Sequence, residues 1–299
     1  MSLPAAIQWR TILLFAIVYA AWFLLTLACV HYSAWFALPL ILVLTLHSSL
    51  QHEVIHGHPT QWQVVNGALA APAPGLFIPF ERFEYLHLQH HRDWLLTDPY
   101  DDTESYFLSS SQWQSLAPLS RFILTLNNTL LGRLIIGPGI MYSRFFYSEI
   151  TLLRSRSPGV LEAWCKHFPG VIPVLLWLYW IDFSLLFYVF AAVWPSTSLL
   201  LLRAFTEHLP AKSVHERSAI VRSGKLMGLL FLNNNLHRVH HDNPELPWYE
   251  LPALYNRNYA NSDGDHHIPG YLHLLRRYAV KPRFTVAHPI LRVEPNRRT

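Results

Sequence analysis

The chain has 299 residues, of which 52% are hydrophobic and only 14% are charged. A soluble globular domain usually carries about 25% charged residues, so the composition argues against an ordinary soluble domain. The net charge of +4 does not indicate nucleic-acid binding, because basic residues at the surface of a membrane protein meet anionic lipid headgroups.

Apolar runs predict four membrane-spanning helices, since about 20 apolar residues are needed to cross a bilayer. We place the first span at 11–30, where Ile12–Val30 is uncharged, and the second at 35–51. The apolar stretch Val171–Leu202 is too long for a single span. It predicts two more, at 164–181 and 184–205, with a turn near Asp182.

The distribution of Lys and Arg predicts the orientation of these spans. One such residue precedes the first span, eight lie within 51–170 and fourteen within 203–299, which accounts for all 23. Positive residues stay on the cytoplasmic side. We therefore expect an all-α integral membrane protein, in the bacterial cytoplasmic membrane, with two helical hairpins and both termini cytoplasmic. Segments 52–163 and 206–299 would form a cytoplasmic helical cap within one domain.

Three histidine clusters fall in this predicted cap. They have the forms H-x-x-x-H, H-x-x-H-H and H-x-x-H-H, at His52 and His56, at His87, His90 and His91, and at His237, His240 and His241. Residues three or four apart share one face of a helix, so each cluster can offer two or three ligands. Neutral imidazole suits iron, zinc, copper and nickel. Eight such residues exceed the needs of one metal and predict a polynuclear redox site.

The first cluster also permits a different interpretation. His52, Glu53 and His56 form H-E-x-x-H, the motif of zinc metalloproteases in which the glutamate is the general base. A catalytic zinc needs three protein ligands and one open position. A membrane metalloprotease is therefore the alternative from another class, although it leaves the other two clusters without a role.

The three clusters together with the predicted topology resemble the membrane fatty acid desaturases and their hydroxylase relatives. The resemblance extends over roughly Leu46–Leu254. It is strengthened by HLQHHRDWLLTDP at His87–Pro99 and by NNNLHRVHHDNPELP at Asn233–Pro247. A further histidine beyond the last span commonly completes the ligands in this family. The segment RAFTEH at Arg203–His208 assigns that role to His208.

The resemblance implies a non-haem di-iron centre that uses O2 to oxidise a fatty acyl chain. Desaturation to a C=C bond is the first expectation. Fatty acyl hydroxylation, or oxidative decarboxylation to a terminal alkene, is the alternative within the same chemistry. Electrons would come from a separate donor such as a ferredoxin or a cytochrome b5 type protein, because the sequence shows no fused module of these kinds.

Carboxylates are expected beside the histidines, because a ligating imidazole usually donates its other N–H to such a group. The candidates are Glu53, Asp93, Asp98, Glu207 and Asp242. For each of them a surface or helix-capping role is the alternative. Asn234 is a candidate for holding a metal-bound water, and a role at a helix start is equally open for it.

Overall fold

The computed structural model describes residues 7–260 and 266–290, which are mostly helical. The α-helices are α1 Trp9–His31, α2 Ala37–Ile55, α3 Gln63–Ala70, α4 Phe80–His90, α5 Ser110–Ser115, α6 Pro118–Asn127, α7 Leu130–Ile135, α8 Gly137–Arg154, α9 Val160–Trp180, α10 Leu185–Tyr188, α11 Trp194–Glu207, α12 Lys225–Leu230, α13 His237–Asp242, α14 Leu251–Leu254 and α15 Tyr271–Tyr278. Strands β1 Ile220–Val221 and β2 His267–Ile268 pair in parallel.

Three of the predicted spans correspond to helices long and apolar enough to cross a membrane. These are Trp9–His31, Ala34–Ile55 and Leu185–Glu207, and the last is continuous because a π-helical segment joins α10 to α11. The span predicted at 164–181 forms within α9, whose apolar sequence is interrupted by Lys166 and by Pro169 and Pro173. Four spans in two hairpins therefore stay a prediction.

Buried polar contacts link the apolar helices to one another. The indole Nε1 of Trp22 on α1 donates to the Tyr188 hydroxyl, 2.8 Å away, and that hydroxyl donates to the Pro74 carbonyl oxygen at 2.7 Å. Trp177 on α9 donates through Nε1 to Thr26 Oγ1 on α1 at 3.0 Å. Each donor is satisfied within the protein, as a buried or lipid-facing environment requires.

Helix α9 approaches the irregular segment after α3 very closely. A Cβ added at Gly170 would lie 2.0 Å from the Ala71 carbonyl oxygen, so only glycine fits there. The Gly170 carbonyl oxygen accepts a hydrogen bond from Ala73 N at 3.2 Å. This packing holds residues 71–79 in place ahead of α4, the helix that carries the second histidine cluster.

A buried ion pair fixes α4 against α8. Arg82 donates from Nε and Nη2 to the Glu149 carboxylate at 2.8–3.0 Å, and Trp164 Nε1 on α9 donates to Glu149 Oε2 at 3.0 Å. A buried charge is tolerated when it is paired and hydrogen-bonded in this way. Three helices are thereby held in one arrangement behind the histidines.

The ends of several helices converge at one place. His52 lies in the last turn of α2, His87 and His90 lie in the last turn of α4, and His208 directly follows α11. Helix α13 supplies the third cluster from its own short length. Because the C-terminal end of a helix carries partial negative charge, three such ends favour cations between them.

Candidate metal centre

The structure brings all nine predicted histidines together in two groups. We call them the five-histidine group, which comprises His52, His56, His87, His91 and His240, and the four-histidine group, which comprises His90, His208, His237 and His241. Within each group the available nitrogen atoms lie within 4.8 Å of one another. Most of these side chains are buried, with His52, His87, His90 and His240 no more than 2% exposed.

In each H-x-x-H-H cluster, the middle histidine belongs to a different group from the other two histidines. His87 and His91 belong to the five-histidine group, whereas His90 between them belongs to the other. In the third cluster His240 joins the five-histidine group, away from its neighbours. The helical spacing explains this division, because residues four apart point the same way more closely than residues three apart. Both H-x-x-H-H clusters therefore reach both groups, whereas His52 and His56 lie in the five-histidine group alone.

Nitrogen atoms within the groups face one another at short distances. The Nε2–Nε2 distance is 2.7 Å between His90 and His208, 3.0 Å between His208 and His237, and 2.9 Å between His87 and His91. Two nitrogen ligands at right angles around one metal, with bonds of about 2.1 Å, lie about 3.0 Å apart. The spacing therefore fits imidazoles that share a cation.

Hydrogen bonds at Nδ1, the ring nitrogen that points away from the other histidines, leave Nε2 available to bind a metal. In the four-histidine group, Nδ1 of His90 lies 2.7 Å from Asp102 Oδ1, and Nδ1 of His208 lies 3.2 Å from the Arg217 carbonyl oxygen. These oxygens only accept, so each Nδ1 carries a proton, and each Nε2 has a lone pair when its ring is neutral. Facing lone pairs repel, and a cation between them removes the repulsion. The buried His56 Nε2 likewise has no hydrogen-bond partner.

Two acidic residues that the sequence did not single out contact the histidines. Asp102 accepts from His90, and Glu104 Oε1 lies 2.9 Å from His87 Nδ1. Asp102 also accepts from Thr97 N at 2.8 Å, which orients its carboxylate. Both follow the second cluster in an acidic loop after Asp98-Pro99. That acidic run was the only sequence signal for them.

Two of the predicted neighbours lie beside His237, and a third lies elsewhere. Asn234 Oδ1 is 3.0 Å from His237 Nδ1, and Glu207 Oε1 is 3.3 Å from the same nitrogen. Glu207 also pairs with Arg203 at 2.6 Å. Glu53 accepts a hydrogen bond from Trp248 N at 3.1 Å.

The remaining predicted acidic residues form contacts away from the histidines or fall outside the described part. Asp98 accepts from the backbone N–H groups of Tyr100 and Asp101, which closes a turn. Asp242 pairs with Arg238 and accepts from the Tyr259 hydroxyl. The Asp93 side chain lies outside the described residues.

The protonation states favour ligation by neutral imidazole at most positions. Burial lowers the pKa of His208 to about 3 and lowers that of His240 well below its usual value, assisted by neighbouring histidines. Burial also lowers the pKa of His90, but Glu104 and Asp102 outweigh it and raise that pKa to about 9. His90 is therefore held where a positive charge is stabilised.

A cavity of about 510 Å³ adjoins the histidines. His208, Glu207, Asp102 and Glu104 lie on its wall. Most of the remaining wall is apolar and includes Leu44, Leu76, Phe83, Met141, Leu200 and Leu201. An apolar cavity with a few convergent polar groups is typical of a small-molecule site.

Comparison with known proteins identifies one family. A family model described as fatty acid desaturase matches residues 27–271, which is most of the chain and includes all nine histidines. A search of curated proteins produced no match. The H-E-x-x-H alternative gains nothing from the geometry, because His52 and His56 lie with three further histidines rather than in a three-ligand site.

Proposed function

This chain belongs to the fatty acid desaturase family, and on that premise we propose that it is a membrane-bound di-iron oxidoreductase that desaturates a fatty acyl chain. Membership of the family implies an oxidoreductase with a fatty acyl substrate in a lipid environment. The finer assignments, namely two irons, desaturation, four spans and a cytoplasmic site, are proposed here. They rest on the sequence pattern and on the geometry of the histidines.

The observation that carries the proposal is the pair of histidine groups beside the apolar cavity. Nine imidazoles divided five and four can hold two metals, and neutral nitrogen ligands suit iron among other metals. His208 belongs to the four-histidine group and also lies on the cavity wall. Ligands and an apolar binding space therefore meet at one point.

Two bound irons would supply the O2-dependent oxidising power that removal of hydrogen from an unactivated C–H bond requires. In the overall reaction, two hydrogen atoms leave adjacent carbons of the acyl chain and a C=C bond forms. One O2, two electrons and two protons are consumed, and two waters are produced. The electrons come from a one-electron donor protein of the ferredoxin or cytochrome b5 type.

Residues around the metal positions orient the ligands and control the surroundings. Asp102 and Glu104 hold the Nδ1–H groups of His90 and His87, which fixes both rings and increases their basicity. Leu200 and Leu201 on one wall and Phe83 on another present apolar surface to the cavity. These walls exclude water and hold an acyl chain against His208, and placement of that kind decides which carbon reacts.

The membrane arrangement follows from the same proposal. The described helices Trp9–His31, Ala34–Ile55 and Leu185–Glu207 would cross the bilayer, and α9 would be the fourth crossing. The abundance of Lys and Arg in 51–170 and 203–299 favours a cytoplasmic position for both segments. The electron donor would then dock on the cytoplasmic face.

Mass spectrometry of total lipids and headspace hydrocarbons tests the reaction. We compare cells that express this chain with cells that express His237→Ala. A product two hydrogens lighter, absent from the variant, is expected. A product that gains one oxygen, or a terminal alkene one carbon shorter, would replace desaturation by hydroxylation or decarboxylation. Metal analysis of the purified chain should find two irons, and a single zinc without iron would overturn the di-iron assignment.

A further inference from the structure

Two arginines on the wall of the cavity have no acidic partner among the described residues. Arg133 on α7 is only 5% exposed, and its Nη2 atom is buried without a hydrogen-bond partner. Arg144 on α8 lines the same cavity from a solvent-exposed position, and its one polar contact among the described residues is a marginal one, 3.5 Å from Nη2 to the Ser105 carbonyl oxygen. Burying an unpaired cation is costly, so the missing anion beside Arg133 calls for an explanation.

The carboxylates on the cavity wall are all engaged with other residues. Asp102 and Glu104 contact His90 and His87. The other two are in arginine pairs, Glu149 with Arg82 at 2.8 Å and Glu207 with Arg203 at 2.6 Å. Carboxylates therefore neutralise Arg82 and Arg203, but none in the described part of the chain pairs with Arg133 or Arg144.

Further polar atoms without partners lie around Arg133. The Arg133 guanidinium lies 4.5 Å from the centre of the Tyr106 ring, and the buried Tyr106 hydroxyl has no hydrogen-bond partner. Arg133 Nε donates to the Asn127 carbonyl oxygen at 3.0 Å, while the buried Asn127 Oδ1 atom is unpartnered. Tyr106 and Asn127 both line the cavity. The hydroxyl and the two guanidinium groups can together donate to a compact anion, whereas Asn127 Oδ1 can only accept.

We propose that Arg133 and Arg144 bind the carboxylate of a free fatty acid inside the cavity, with the Tyr106 hydroxyl donating a further hydrogen bond. This inference rests on the proposed function, since it names the acyl substrate as a free acid. The guanidinium fork matches a planar carboxylate, and the depth at which Arg133 is buried suits a small end group at the head of an apolar chain. A methyl ester would leave both cations without an anion.

Displacement of radiolabelled lauric acid tests this assignment. The full chain, loaded with iron and embedded in nanodiscs, is used without reductant, and empty nanodiscs correct for partition into lipid. Unlabelled lauric acid, methyl laurate and lauroyl-CoA are the competitors. A hydrogen-bonded charge pair is worth about 1.5–3 kcal/mol, so we expect lauric acid to compete roughly 10- to 100-fold better than methyl laurate.

Three variants test whether the two arginines cause the preference for the acid over the ester. Arg133→Gln and Arg144→Gln should each remove most of the preference for the acid over the ester. Arg154→Gln is the matched control, because Arg154 is an exposed residue at the end of α8 and does not line the cavity. If Arg133→Gln fails to fold, Arg144→Gln alone decides the question.

Each other outcome contradicts the assignment. Equal competition by acid and ester, or an acid preference that survives Arg144→Gln, would overturn the anion site. Stronger competition by lauroyl-CoA would assign the arginines to phosphate and overturn the free acid. Because binding is measured without turnover, these results are independent of the metal chemistry. Acid binding that persists in a protein that oxidises no lipid would refute the proposed reaction alone.

Discussion

The two histidine groups differ in how their charge is balanced and in what they border. The five-histidine group is filled largely by imidazoles, and its carboxylate contact among the described residues is that of His87 with Glu104, which is about one-third exposed and also lies 4.0 Å from His90 Nε2. In the four-histidine group His90 meets Asp102, and His237 meets Glu207; the side chains of both acids are 5% exposed or less. The group with fewer imidazoles thus has the more buried carboxylates.

Position relative to the cavity reinforces this difference. His208 of the four-histidine group lies on the cavity wall, together with Glu207 and Asp102 beside its neighbours. Fewer protein ligands leave more of a metal's coordination sphere free, as in catalytic sites with an open position. The four-histidine group should therefore be the more sensitive of the two, since it has fewer histidines and adjoins the cavity.

Removing one histidine from each group gives the largest expected effect. His208→Ala leaves three imidazoles in its group, whereas His56→Ala leaves four in the other. We expect His208→Ala to lose one iron per chain and more than ~100-fold of activity, since even outer hydrogen-bond partners of ligands cost 10- to 100-fold. His56→Ala should retain more iron. Iron counted per chain by mass spectrometry checks both, and equal losses would remove the distinction between the groups.

The second largest effect is expected from Asp102, the carboxylate that contacts His90 in the four-histidine group. Asp102→Asn weakens the acceptor that orients His90, and Asp102 is deeply buried. We expect roughly a 100-fold loss in iron affinity or activity, the upper end for such partners. Asp101→Asn is the matched control, since Asp101 is exposed in the same loop. Chelator titration with iron analysis measures the difference, and parity between the two variants would exclude this role for Asp102.

Local spacing explains how much of the site the sequence could predict. The ligand histidines of each cluster lie within one or two helical turns, so i, i+3 and i+4 periodicity was enough to mark them. The structure brings all of them together with His208, whose candidacy came from the family resemblance. Their role in metal binding stays a prediction. The apolar runs were likewise local signals, and three of the four predicted spans correspond to helices that could cross a membrane.

Helical spacing separates the middle histidine of each H-x-x-H-H cluster from the other two, but which histidines of the two clusters meet could not be predicted, because that depends on how α4 and α13 face each other. His90 crosses to the group of His237 and His241 only in the folded arrangement. Asp102 and Glu104 were missed for a related reason. They reach back 12 and 17 residues to their histidines from a loop without periodicity, so no local pattern marked them.

The carboxylate of the five-histidine group should matter less than its counterpart. Glu104→Gln removes the charge beside His87, but the Glu104 side chain is partly exposed and four further histidines remain in that group. We expect roughly a 10-fold loss in iron affinity, at the lower end of the range for ligand partners. The same chelator titration applies. A loss larger than that of Asp102→Asn would reverse the ranking of the two groups.

Asn234 lies within hydrogen-bond distance of a histidine of each group, and it gives the smallest expected effect. Its Oδ1 lies 3.0 Å from His237 Nδ1, and its Nδ2 lies 3.3 Å from His52 Nε2. Asn234→Ala removes one neutral hydrogen bond of about 1 kcal/mol to His237, where Glu207 remains as a second acceptor, so a loss of roughly 5-fold in iron affinity is expected.

Asn234→Asp separates the two contacts of this side chain. It keeps the acceptor for His237 but removes the donor near His52. Recovery of iron affinity in Asn234→Asp would show that Asn234 acts through the four-histidine group, in agreement with the greater demands of that group. An aspartate as impaired as the alanine would assign the role of Asn234 to His52. In that outcome the Asn234 carboxamide would act on the five-histidine group.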